Sequence, residues 1–269
     1  MSIISLGEPI AQGSVADIYK WGEDQILKLF HDWVPAYGVE HVARMARAVH
    51  AVGLPVPAVG EVIEVSGRLG LIYEHIEGGT MADDLLGTPE AKPEKVLQLA
   101  HIFAELHVDI HSWGNVPELH SQQQQLERVI REVDVLPRDL KEAALKALYE
   151  MPDGDCLCHG DFHPYNILMS PRGSVVIDWN NASIGNPVAD VALSVLILSG
   201  VSVLEPSYHS LIDQFDKAYL KRYFELLPDD QQQLVAWRPV MAAVRLTENI
   251  PGLQEWLLTQ IRTGLALYD

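Results

Sequence analysis

The spacing of apolar residues changes character as the chain proceeds. From Ile10 to Phe30 they come in short runs broken by turn formers: Ile10-Ala11-Gln12 enters Gly13-Ser14, Val15 to Trp21 enters Gly22-Glu23-Asp24, and Gln25 to Phe30 follows. Runs of this length between Gly, Ser and Asp predict strands, three of them over residues 3 to 30. Between Val39 and Val52 the interval becomes three and four (Val42, Met45, Ala46, Val49, Val52), which predicts a helix. Gly53 closes it, and Pro55 and Pro57 prevent its continuation. Strand-like runs return at Ala58 to Val65 and Leu69 to His75, joined by a Ser66-Gly67 turn.

Helical spacing dominates the remainder. Thr80 is placed to cap a helix over Met81 to Leu86, and Glu94 to His111 carries a wide apolar face. Further helices are predicted at Leu126 to Val133, Arg138 to Glu150, Val188 to Leu198, Tyr208 to Leu227, Gln231 to Arg245 and Leu253 to Ala266. The pattern therefore predicts an α+β chain: an N-terminal part, residues 1–76, of five antiparallel strands and one helix, then a mostly helical part, residues 77–269.

One stretch departs from this rhythm. His159-Gly160-Asp161-Phe162-His163-Pro164-Tyr165-Asn166 leads into the apolar Ile167-Leu168-Met169, and after a turn at Pro171-Arg172-Gly173 the run Val175 to Ile177 ends on Asp178. Pro164 forbids regular helix, so Asp161 and Asn166 are predicted on a loop that enters a strand, with Asp178 at the end of the next strand. Phosphoryl transfer needs a group to accept or orient a hydroxyl proton and oxygen ligands that hold Mg²⁺ against the phosphates. Asp161 fits the first task, Asn166 and Asp178 the second, with His159 as the loop's lead residue. The bland alternative, a surface turn built from Asp and Asn, accounts for one such residue but not for four in order.

Lys28 sits in an apolar strand. By itself it reads equally as an edge-strand lysine facing water; in the kinase pattern the third-strand Lys meets the α- and β-phosphates and pairs with a helix Glu. Glu40, the one acidic residue of the Val39 to Val52 helix, is the expected partner. Gly13 would let backbone amides approach phosphates closely, and Ser14 would add a contact.

These motifs resemble the aminoglycoside phosphotransferase family, the small-molecule branch of the protein-kinase-like fold. The resemblance rests on His159 to Asn166, on Ile177-Asp178-Trp179, and on Gly185-Asn186-Pro187 followed by Asp190. It implies a two-lobed fold, ATP or GTP with Mg²⁺ as cofactors, Asp161 as catalytic base, Asn166 and Asp178 as metal ligands, and Asp190 as a brace for the loop. It further implies a hinge at Glu74 to Ile76 beside the adenine edge, with Tyr73 at the back of that pocket. A long activation segment is missing from the pattern: only Trp179 to Ile184 separates Asp178 from Gly185, and Gly160 stands where protein kinases carry a basic residue. The acceptor is therefore expected to be a small molecule with a hydroxyl group. Choline, homoserine and sugars are family alternatives to an aminoglycoside.

Charge narrows the partners. Lys plus Arg is 19 against 37 Asp plus Glu, a formal net charge of −18. Such a surface disfavours nucleic acid. Beyond Ile76 there are 14 basic and 28 acidic residues, so a cationic amine or amino sugar would suit the second part of the chain. Trp179, Asn180, Asn181 and Glu248 are candidate acceptor contacts. No apolar run approaches the ~20 residues that span a bilayer, and the N-terminus lacks the features of a secretory signal, so no membrane partner and a cytoplasmic location are expected. Cys156 and Cys158, two apart, fit no zinc spacing. His107 and His111 are four apart but lack the metalloprotease Glu, so they are read as packing or capping residues. Two other classes stay open: a nucleotide-binding regulatory module without catalysis, and a hydrolase using Asp161 and His163 around a metal.

Overall fold

The computed structural model describes residues 6–88, 90–114, 116–228 and 231–266; residues 3–5 of the first predicted strand region lie outside this range. The elements run β1 (Ala11–Gln12), β2 (Ala16–Trp21), β3 (Gln25–Phe30), α1 (Ala36–Ala51), β4 (Val59–Val65), β5 (Arg68–Glu74), β6 (Gly79–Thr80), α2 (Met81–Leu86), α3 (Pro93–His111), β7 (His120–Ser121), α4 (Gln122–Glu132) and α5 (Arg138–Glu150). They continue with β8 (Cys156–Cys158), β9 (Ile167–Ser170), β10 (Gly173–Val176), β11 (Ser183–Gly185), α6 (Pro187–Leu204), α7 (His209–Leu226), α8 (Gln232–Arg245) and α9 (Gln254–Leu265).

Two compact units result: one takes in the chain up to Gly79 together with Ile167–Asn180, the other Thr80–Asn166 and the chain from Asn181 onward. A single cut after residue 76 does not describe this, because the β9–β10 hairpin, and Asp178 with it, belongs to the first unit. Its local anchor is the Val176 amide, which donates to the Pro55 carbonyl at 2.9 Å.

In the first unit the sheet order is β1-β2-β3-β5-β4, antiparallel throughout. The β4–β5 connection has Ser66 at φ 54° and Gly67 at φ 82°. Positive φ at both central residues is the turn whose twist matches paired strands, which makes Gly67 the natural second residue. Val39 and Ala43 of α1 pack on Phe30 and Leu71 of the sheet. The helix begins at Ala36, before its apolar period starts, with Tyr37 facing solvent.

The second unit is built on helices. Residues from α4, α5, α6, α8 and α9, among them Ile130, Leu148, Ala192, Val240 and Leu257, form one buried cluster. At about 25 cal/mol per Å² of apolar surface removed from water, such a cluster is the main stabilising term of the unit. Thr80 caps α2 through a box with Asp83: the Asp83 amide donates to Thr80 Oγ1 at 3.1 Å and the Thr80 amide to Asp83 Oδ2 at 2.7 Å. α6 runs six residues past its expected end at Leu198, since Gly200 is packed against Leu253 instead of ending the helix. Its length and apolarity (18 residues, mean hydropathy 2.0) would serve to cross a membrane, contrary to the expectation from the sequence, yet 67% of that stretch is buried within the protein. It is a core helix, and it carries Asp190.

Candidate active site

The first unit holds one set of predicted site residues. Lys28 lies on β3, opposite Ile18 on one side and Leu71 on the other, so the strand is central and the edge-strand alternative falls. A lysine flanked on both sides needs an ionic partner. Lys28 Nζ meets Asp178 Oδ1 at 2.7 Å, with the lysine side chain 12% exposed. Asp178 follows β10 with φ 66°, a left-handed conformation that Asp tolerates better than most residues. Asn180 Nδ2 donates to the same Oδ1. The hydroxyl of Tyr73 on β5 is pushed well up by burial and then by the Asp178 charge, with Arg47 acting the other way.

Several expectations need correction in this unit. Glu40 does not pair with Lys28: it lies on the exposed face of the second turn of α1, and the ion pair is made by Asp178. The Gly13 amide does not point outward for a phosphate but donates to the Ala16 carbonyl at 2.9 Å, closing the turn that leaves Ser14 exposed. In the expected hinge, the Glu74 amide donates to Ala58 O and the His75 amide to Asp24 O, both at 2.9 Å, so neither donor is turned toward a base edge. Glu74's carboxylate takes Arg172 Nη2 at 2.6 Å, and this bond, then one from the Ala58 amide, holds it below the usual carboxylate range. Ile76 is buried. Trp179 is no acceptor contact: it is 5% exposed and its indole N–H donates to Val176 O at 3.2 Å, the signature of a packing residue.

The second unit holds the loop. β8 delivers His159, fully buried, whose Nδ1 accepts the Asp161 amide at 3.2 Å. Gly160 has φ +75°, and a Cβ there would meet the Asn181 carbonyl oxygen at 2.5 Å, so only glycine fits. Pro164 to Asn166 form one 3₁₀ turn, with the Asn166 amide donating to His163 O at 2.9 Å. That turn folds the buried Asn166 back on Asp161: its Nδ2 donates to the Asp161 carbonyl at 3.0 Å and to His163 Nε2 at 3.2 Å. Asp161 Oδ1 lies 3.4 Å from His163 Nε2, and His163 Nδ1 is buried without a partner.

Asp190 sits below this loop. Its carboxylate accepts the His159 amide at 2.7 Å and the Gly160 amide at 2.9 Å. His107 and His111 of α3 also reach it, at 3.2 and 3.3 Å. Burial alone would push the carboxyl up, but the hydrogen bonds from the two histidines outweigh it and hold the group well below the usual range.

Comparison with known proteins fits this geometry. The model of the phosphotransferase enzyme family, APH, matches residues 7–237. The chain belongs to that family. Among solved structures, aminoglycoside-3'-phosphotransferase of type VIII aligns with a TM-score of 0.61 at 19% identity, over 89% of this chain and 92% of that one. A choline/ethanolamine kinase family protein from Mesorhizobium loti gives 0.62 at 15% identity, over 98% and 89%. Amicoumacin kinase, solved with AMP-PNP and Ca²⁺, gives 0.64 at 14%, over 96% and 87%. At such identities the likeness establishes the two-lobed kinase-like fold. Of curated relatives, acyl-CoA dehydrogenase family member 11 of Rattus norvegicus is 26% identical over 180 residues, 58% of this chain and 23% of that protein. Member 10 of Mus musculus is 25% identical over 181 residues, 60% and 17%. The chain thus spans less than a quarter of the length of these relatives.

One expected contact and one unexpected network complete the second unit of this APH chain. Glu248, on the turn after α8, is held by Arg245 Nη1 at 3.3 Å; its carboxyl is raised by partial burial and by the charge of Asp161, against Arg245 and His163. His107 and His111, expected only to pack or cap, face the loop's brace. The signal was present: His107/His111 on α3 and Tyr219/Tyr223 on α7 are each four apart, the spacing that puts two side chains on one helix face.

Proposed function

We propose that this APH-family chain transfers the γ-phosphoryl group of ATP, with GTP as the alternative donor, to a hydroxyl of a small molecule. The observation that carries the reading is the loop from His159 to Asn166, in which Asp161 is held by its own backbone amide on His159 and by Asn166 folded back upon it. A carboxylate so oriented acts as the base or hydrogen-bond acceptor for the attacking hydroxyl. Asn166 commits its amide nitrogen to the loop, which leaves its carbonyl oxygen for a cation, and Asp178 is a carboxylate; two hard oxygen donors fit Mg²⁺. When bound there, Mg²⁺ would neutralise phosphate charge, with Asn166 and Asp178 as its ligands.

Lys28 serves as the phosphate contact once nucleotide competes with Asp178 for its ammonium. Tyr73, Glu74 and Ile76 flank the base, and Gly13 with Ser14 closes over the phosphates after the turn reopens. Glu40 has no part in this set. The nucleotide complexes among the fold neighbours, with AMP-PNP, ADP and GDP, support a purine nucleotide as donor.

For the acceptor we propose a cationic amine or amino sugar. Glu248, close enough to Asp161 to feel its charge, would receive an ammonium group and so bring a neighbouring hydroxyl to Asp161, with Asn180 as a second contact. The test is acceptor-stimulated ADP release over a panel of hydroxyl-bearing amines, sugars and amino acids. Stimulation by cationic members supports the reading. Metal-dependent ATP binding with no acceptor and no slow ATP hydrolysis would point to a nucleotide-binding module instead.

A further inference from the structure

Asp190 presents a problem that its own bonds do not solve. An ionised carboxylate with no solvent contact carries a large desolvation cost, offset only by a full set of donors. Two are the backbone amides of His159 and Gly160. The other two come from His107 and His111, and they serve only if each imidazole presents an N–H, not a lone pair, to the carboxylate.

The structure supplies a partner for the far nitrogen of each ring. His107 Nδ1 lies 2.6 Å from the Tyr219 hydroxyl, and His111 Nδ1 lies 2.6 Å from the Tyr223 hydroxyl. All four side chains are buried. A carboxylate only accepts, so both Nε2 atoms carry hydrogen; in a neutral ring Nδ1 then holds a lone pair, and the tyrosine hydroxyl, which can donate or accept, donates to it. With Asp190 charged and the ring neutral, each O–H···N–C–N–H···O chain is fully satisfied in this sense. Burial, with the neighbouring His111, pushes His107 down to about 3, so it is neutral. Burial likewise raises the Tyr219 hydroxyl far above its ordinary value, so it keeps its proton to donate.

We infer that His107 and His111, fixed as Nε2–H tautomers by Asp190 and seated by the hydroxyls of Tyr219 and Tyr223, are positioning residues that hold the Asp161 loop in its working geometry through Asp190. The inference rests on the phosphotransfer reading for its consequence in turnover, but not for the tautomers themselves. The link to chemistry is short: Gly160, whose amide donates to Asp190 Oδ1, directly precedes Asp161 and keeps its positive φ. Replacing a tyrosine hydroxyl with hydrogen leaves that Nδ1 lone pair buried without a donor, and a ring turned to recover one no longer presents Nε2–H to the carboxylate. The two amides then lose their fixed acceptor and Asp161 moves. A shift of about 1 Å at a reacting group lowers turnover by roughly a hundredfold. The His107, His111 and Asp190 ligand atoms lie within 4.8 Å of one another, close enough for one metal ion in place of the two Nε2 protons. The four donors already on Asp190 favour the proton network.

The test uses the full chain, with Mg²⁺-ATP and water as acceptor. Nitrogen-15 imidazole spectra of the wild type read the tautomers, and the Gly160 amide proton shift reads its bond to Asp190. The double variant Tyr219→Phe, Tyr223→Phe removes both hydroxyl partners, and His107→Gln against His107→Leu separates a retained Nε2–H donor from a lost one. Both histidines as Nε2–H, a Gly160 amide shift that moves upfield in the double variant, and kcat for ATP hydrolysis lower by roughly tenfold or more at unchanged ATP affinity support the inference. His107→Gln retaining more kcat than His107→Leu adds to it. Nδ1–H tautomers in the wild type, an unchanged Gly160 shift with full kcat in the double variant, or stoichiometric metal whose chelation alters the imidazole spectrum would overturn it. A wild type that neither hydrolyses nor transfers would strike the phosphotransfer reading alone, since the spectra stand without it.

Discussion

Lys28 Nζ and Asp178 Oδ1 are 2.7 Å apart, which joins the central strand of the sheet to the end of the β9–β10 hairpin within one unit. The ammonium is thus spent on a carboxylate that is itself a candidate metal ligand. In the proposed reaction, nucleotide exchanges that partner for phosphate oxygens and releases Asp178.

From this exchange, Lys28→Met is expected to weaken ATP binding by about tenfold to a hundredfold, the worth of a hydrogen bond to a charged group. Glu40→Gln is expected to leave binding and turnover within about twofold of the wild type, as for exposed charges in general. Calorimetric titration with ATP on both variants checks the pair. Equal damage from the two would show that Glu40 is engaged when nucleotide binds.

Asp178 holds a left-handed backbone, and this makes a prediction about stability that is separate from charge. Asp178→Asn and Asp178→Ala both remove the ion pair, but only Asn tolerates that conformation well. Asp178→Ala should be less stable than Asp178→Asn by about 1 kcal/mol. Chemical denaturation of both variants measures the difference.

Glu248→Gln tests the acceptor's charge. The variant should raise KM for amine-bearing acceptors by about tenfold, the loss of one charge-assisted contact, while KM for ATP is unchanged. Neutral acceptors such as simple sugars should respond little. An equal effect on both acceptor types would assign Glu248 to the loop's electrostatics and not to recognition.

Asp216 on α7 is half-buried, with its Oδ1 atom enclosed and lacking a partner, and burial raises its pKa from 3.8 to about 8, against the pull of Arg238. In the folded chain it is therefore protonated where the unfolded chain is ionised. Stability attributable to this group is fully present below pH 3.8 and is lost as pH rises toward 8, at up to about 1.4 kcal/mol per pH unit. Asp216→Asn should remove this slope, so its melting temperature should exceed the wild type's by more at pH 8 than at pH 5. Parallel melting curves with no pH-dependent gain would show that the carboxyl is ionised in the fold.

Much of the fold was legible because its signals are local. Thr80 with Asp83, the Ser66-Gly67 turn and the period of Val39 to Val52 each depend on residues a few positions apart. α4 begins at Gln122, earlier than its apolar period, because Ser121 caps it through the Gln124 amide at 3.4 Å and the glutamines after it have no apolar signal. The loop of the candidate site could be read because its polar residues are concentrated within His159 to Asn166. What sequence could not supply was partnership across distance. Lys28 and Asp178 are 150 positions apart, and the face of α1 that Glu40 occupies depends on how that helix packs. The histidine and tyrosine pairs are 112 positions apart; spacing shows that each pair shares a helix face, not that the faces meet.

Asp161→Ala, assayed for nucleotide binding and phosphoryl transfer on the same preparation, tests the central assignment most directly. The account predicts ATP affinity within about twofold of the wild type and no detectable transfer to an acceptor that the wild type phosphorylates. Full transfer by the variant would contradict it.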